Sequence, residues 1–160
     1  MKTDYIEGLL ASEELVVRVI KDFAELEWNL DLLLTRYFTA QERYDEFFDI
    51  IVGSLNFNQK IEIFAKMSLP QKGLSTNNAA RSLKKLRKLR NLLAHTYEWT
   101  QGEIQKISTD NELARILANY PKSYDSEIIN TKIRLRKIVM SYIRNSWKKN
   151  GLISGSSQGK

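Results

Sequence analysis

Cysteine is absent from this 160-residue chain, and histidine occurs once, at position 95. The first absence excludes disulfides, thiolate metal sites and a thiol nucleophile. The second excludes a zinc site built from several histidines; no metal and no cofactor is expected. Proline is almost missing, with two residues, and glycine is limited to seven. Helices can therefore run long between few breakers. No window approaches the roughly eighteen uncharged apolar residues of a membrane span. The N-terminal MKTDYIEGLLASEELVV carries acids where a secretion signal would need a basic start and an apolar run. The expectation is a cytoplasmic protein without a membrane partner.

One further absence is local. Residues 63–97 contain no Asp or Glu, while Lys66, Lys72, Arg81, Lys84, Lys85, Arg87, Lys88 and Arg90 all fall there. Net charge is +6, yet residues 1–62 hold thirteen acids against six bases. The positive charge is thus concentrated in one segment, which points to a polyanionic partner. The plainer alternative is a solvated helix face.

Apolar spacing is helical almost throughout, which predicts an all-α fold. The pattern gives an up-and-down bundle of about five helices, with a short hairpin or loop after the fourth. One domain spans 1–150, and ISGSSQGK falls in a disordered tail, 151–160. Ser12 reads as an N-cap, followed by the stripe Val16, Val19, Ile20, Phe23, Leu26, Leu30, Leu33 and Phe38. Thr39 with Glu42 spells a capping box before a second helix carrying Tyr44, Phe47, Phe48 and Ile51 and closed by Gly53. Asn56 caps a third, with Phe57, Ile61, Phe64 and Ala65 on one face and an end at Leu69-Pro70.

The fourth helix starts near Asn77 and runs to about His95. Turned at about 100° per residue, it gathers Leu86, Leu89, Leu92 and Leu93 on one side, with Leu83 at the edge. Arg81, Lys84, Lys85, Lys88, Asn91 and His95 lie opposite, bordered by Arg87 and Arg90. Tyr97, Trp99, Gln101-Gly102 and Ile104 suggest the hairpin. Asp110 caps a short helix ending before Pro121. The last helix runs from about Ser126 to Lys149 with Ile129, Ile133, Val139, Tyr142, Ile143 and Trp147 as its apolar positions.

Read alone, His95 is a cation at a helix C-terminus, stabilised there by roughly 0.3–1 kcal/mol. Asn91 is its i−4 neighbour and can orient the ring. Arg90 lies about 140° away around the axis. It meets His95 only if the helix end unwinds or a second chain completes the site.

RNLLAH, residues 90–95, resembles the R-x4-H signature of the HEPN superfamily of small helical proteins, with a polar residue directly after the arginine. Arg90, Asn91 and His95 match it position by position, and FFDIIVGSLNFNQKIEIFAKM is similar to the helices that precede the motif. The resemblance covers roughly residues 12–97. It implies a homodimeric bundle and, in active members, a metal-independent endoribonuclease with two motifs facing each other. In that picture His95 is the general acid or base, Arg90 stabilises the transition state, and Asn91 fixes the ring or contacts the scissile phosphate. Lys84, Arg87 and Lys88 guide the RNA backbone, while Tyr97 and Trp99 either stack a base or pack. Such an enzyme acts as a toxin or phage-defence effector.

R-x4-H-x-Y, completed by Tyr97, also resembles HEPN toxins whose nucleotidyltransferase antitoxin adenylylates that tyrosine. The alternative is a non-catalytic HEPN-like dimer that binds nucleic acid, a nucleotide or a regulatory protein. Imidazole, with an ordinary pKa of about 6.5, can give or take a proton near neutrality. One histidine cannot do both at once, so an active site of this kind needs two chains.

Overall fold

The computed structural model describes residues 3–69, 75–95 and 100–149. Among them are eight α-helices and no strand: α1 (Thr3–Leu10), α2 (Glu13–Phe38), α3 (Tyr44–Phe47), α4 (Phe57–Lys66), α5 (Thr76–His95), α6 (Gln101–Thr109), α7 (Asn111–Leu117) and α8 (Lys122–Lys149). The all-α class holds, with more helices than the five expected. None of the helices is long and apolar enough to cross a membrane.

The long helices make the core. α2 packs on α4, α5 and α8, and α5 packs on α4, α7 and α8. Buried Leu15, Val19, Phe23, Leu26, Leu30, Leu33 and Leu34 of α2 meet Ile61 and Phe64 of α4 and Leu83, Leu86, Leu89 and Leu93 of α5. Burying each such side chain stabilises the fold by about 1.5–3 kcal/mol. A polar strap ties α2 to α8. Asp22 accepts from the Tyr124 hydroxyl at 2.8 Å and from Lys132 Nζ at 2.7 Å, Arg18 pairs with Asp125, and the Arg18 guanidinium lies 5.5 Å from the Tyr124 ring centre. Burial and the Asp22 carboxylate push the Tyr124 phenol well above the ordinary tyrosine range.

Several helix ends follow the local chemistry. Asn56 Oδ1 accepts from Gln59 N at 3.0 Å while Gln59 Oε1 accepts from Asn56 N at 2.9 Å, a reciprocal box. Asp110 Oδ1 accepts from Glu112 N and Leu113 N at 2.9 and 3.1 Å. The bond from Leu113 leads the causes that hold its carboxyl below the usual range. Ser75 Oγ takes the Asn78 N–H at the start of α5.

Other expectations are corrected. Thr39 ends α2, donating its N–H to Thr35 O, so the box with Glu42 does not form. Residues 41–52 are a 3-10 turn, the single turn α3 and a π turn over Phe48–Val52. The wide turn places Val52 in the core and leaves Ile51 exposed. Of the hairpin or loop expected after the fourth helix, the part at Tyr97 and Trp99 lies outside the described residues, while Gln101, Gly102 and Ile104 belong to α6, in which Ile104 and Ile107 bury one face and which packs on α1. On α8 the core positions are Tyr124, Ile128, Leu135, Ile138 and Val139, whereas Ile129 and Ile133 stand exposed. Ile20 and Phe38 of the expected α2 stripe are exposed as well.

Candidate functional site

α5 remains helical through His95. An unwound helix end therefore does not bring His95 to Arg90, and the two positions stay about 140° apart around the axis. The His95 side chain lies outside the described residues, as do Tyr97 and Trp99.

What α5 does bring together is Arg87, Arg90 and Asn91. All three line a cleft of about 580 Å³ whose other walls are α2, through Ile20, Phe23, Ala24 and Glu27, and the start of α4, through Asn56, Phe57 and Asn58. Arg90 Nη1 donates to Asn91 Oδ1 at 3.2 Å, so the motif's arginine and its polar follower are locked to each other. Phe57 is held edge-to-face on Phe23, with ring centres 5.0 Å apart. The cleft wall is thereby fixed by the same packing that joins α4 to α2.

Arg87 sits at the inner edge of this group. Its side chain is half-buried, and its Nε–H is buried with no hydrogen-bond partner among the described residues. Leaving a buried donor unsatisfied costs about 1–3 kcal/mol, and more when it is charged.

Glu27 is the cleft's carboxylate. Its Oε1 accepts from Lys60 Nζ at 2.8 Å. Lys60 is itself buried and lies 2.9 Å from both Asp31 oxygens, donating to Oδ2. Lys60 therefore offsets Glu27 behind the wall, and the cleft keeps an excess of positive charge from Arg87 and Arg90.

The basic face divides into unequal parts. Lys84 is exposed. Lys88 reaches α7, with Nζ 3.0 Å from Glu112 Oε2 and 3.5 Å from Asp110 Oδ2, and the Glu112 hydrogen bond leads the causes that raise its pKa. Helical spacing finds Arg90 and Asn91 together with Arg87 on one flank. Glu27, Asn56 and Asn58 join them only through tertiary packing, and the only local signal among them was the cap at Asn56.

No protein-family model, curated protein or solved structure matches the chain.

Proposed function

We propose that this chain is a metal-independent endoribonuclease of HEPN type, acting as a homodimer in the role of a toxin or phage-defence effector. The observation that carries the reading is the convergence of Arg87, Arg90 and Asn91 on one cleft. Those groups suit a phosphodiester that gains negative charge in its transition state.

In this mechanism a histidine removes the proton of the ribose 2′-hydroxyl. The oxygen attacks phosphorus, Arg90 and Arg87 stabilise the phosphorane, and the P–O5′ bond breaks as a second histidine protonates the leaving oxygen. The products are a 2′,3′-cyclic phosphate and a 5′-hydroxyl. The two histidines are His95 of each protomer. The separation of Arg90 from His95 on one helix favours sharing of the site between chains. An exposed apolar line on α2, Val17, Ile20, Ala24 and Trp28, meets the cleft at Ile20 and Ala24 and suits a second copy. A cognate nucleotidyltransferase that modifies Tyr97 would supply the control that a toxic nuclease needs.

Wild type, Arg90→Ala and His95→Ala are incubated with single-stranded RNA in EDTA, and products are resolved by length and end group. Wild type is expected to release cyclic-phosphate ends, and each variant to lose about 10²-fold or more in rate. Cleavage untouched by both substitutions overturns the mechanism. The second reading, a non-catalytic dimer that binds nucleic acid, a nucleotide or a regulatory protein, is favoured by the single histidine per chain. Salt-sensitive RNA binding by a wild type that does not cleave would select it.

A further inference from the structure

α5 carries a second set of cations on its other flank. Arg81 and Lys85 line a cleft of about 390 Å³ closed by Arg115, Glu127 and Arg134. The two clefts share none of their described lining residues, so they are separate.

Four cations face one acid there. Arg115 Nη2 pairs with Glu127 Oε2 at 3.2 Å. Arg81, Lys85 and Arg134 have no carboxylate partner among the described residues, and Arg134 Nη1 donates to the neutral Ser82 hydroxyl at 3.2 Å. Ser82 is 4% exposed. Its Oγ accepts that bond, and among the described residues no acceptor takes its own proton. A buried hydroxyl with an unused donor, beside three cations without counter-charges, calls for an anionic oxygen acceptor. Ser75, just before α5, and Asn78 in its first turn border the same cleft, where the positive end of the helix dipole favours an anion.

The lining also says which part of a ligand is read. Ile138 is the one apolar side chain among the described lining residues, and none is aromatic. A nucleobase would find no stacking platform there. Several arginines and a lysine suit the oxygens of a phosphate, which forked guanidinium donors match in pairs.

We propose that the cleft between α5, α7 and α8 is a phosphate-binding site that holds a phosphate group through Arg81, Lys85, Arg134 and the Ser82 hydroxyl. The phosphate belongs either to a nucleic-acid backbone or to a free phosphate ester. The site does not depend on the RNA-cleavage reading.

The test uses the full chain labelled with ¹⁵N and titrated with inorganic pyrophosphate. Backbone shifts are expected around Ser82 and Arg134, with affinity at least 10-fold weaker in Arg81→Ala/Lys85→Ala and reduced in Ser82→Ala. Thermal melts establish that both variants are folded. A parallel titration with a short single-stranded RNA separates the sources. A 10-fold loss of RNA affinity in the double variant, with competition by pyrophosphate, assigns a backbone phosphate. RNA affinity unchanged while pyrophosphate binding is lost assigns a free phosphate ester. No pyrophosphate binding, shifts confined to the Arg87 and Arg90 cleft, or variants that bind like wild type would overturn the site. RNA cleavage lost in His95→Ala bears on the other cleft alone.

Discussion

Lys60 shows how much a single side chain can hold in place. Burial opposes its charge, but hydrogen bonds to Asp31 and Glu27 keep its pKa above that of an ordinary lysine. Asp31 answers in the other direction for a carboxylate: burial outweighs Lys60 and raises its pKa. A raised carboxyl pKa contributes stability that is complete below the unfolded value and lost as pH rises through the folded one. At neutral pH Asp31 is therefore a cost that Lys60 limits. Lys60→Met should remove about 3–5 kcal/mol at pH 7, the usual penalty for stranding one partner of a buried pair. The loss should shrink as pH falls toward 5, because acid favours the protonated form of the stranded carboxyl. Urea melts at the two pH values check this, and an equal loss at both would count against it. No local pattern announces the pair, since Glu27 and Asp31 read as ordinary i, i+4 acids of α2 and Lys60 belongs to another helix.

At the scale of elements, Gly53 decides the form of the segment before α4. Its N–H reaches Phe48 O at 2.8 Å, closing the π turn, and a Cβ there would stand 2.8 Å from the Asp49 carbonyl oxygen. Gly53→Ala should destabilise the fold by about 1–3 kcal/mol, as overpacking does, a shift that chemical denaturation at neutral pH would register. A neutral result would mean that the turn relaxes freely. The glycine was legible as the end of a helix, but the widened turn before it was not, because it serves Val52 and the tertiary core. Caps at Ser12, Asn56 and Asp110 were readable for the opposite reason, since each is a local exchange between a side chain and nearby backbone N–H groups. α1 and α6 are short, and short helices owe their stability to packing more than to sequence. α8 carries two apolar lines one residue apart, and only the packing of its neighbours selects Ile128 and Leu135 over Ile129 and Ile133.

For the whole molecule, the central question is whether two copies meet along α2. Ile20 is 52% exposed and Trp28 56%, on the helix that walls the Arg90 cleft. Ile20→Arg leaves the buried core untouched, so the chain should still fold. Sedimentation at micromolar concentration should show a dimer for the wild type and a monomer for this variant, with RNA cleavage lost in parallel. A wild type that sediments as a monomer would remove the shared site. How α7 holds Lys88 bears on the affinity that any such assembly shows. Asp110 and Glu112 are a competitor carried in cis: a phosphate that captures Lys88 displaces protein carboxylates in place of mobile counterions. The cation that leaves the phosphate is offset by one drawn to the freed carboxylates, so RNA affinity should fall with salt less steeply than the basic residues of α5 would suggest. The deficit is about 0.7 in the logarithmic slope for a lysine so held against a single strand.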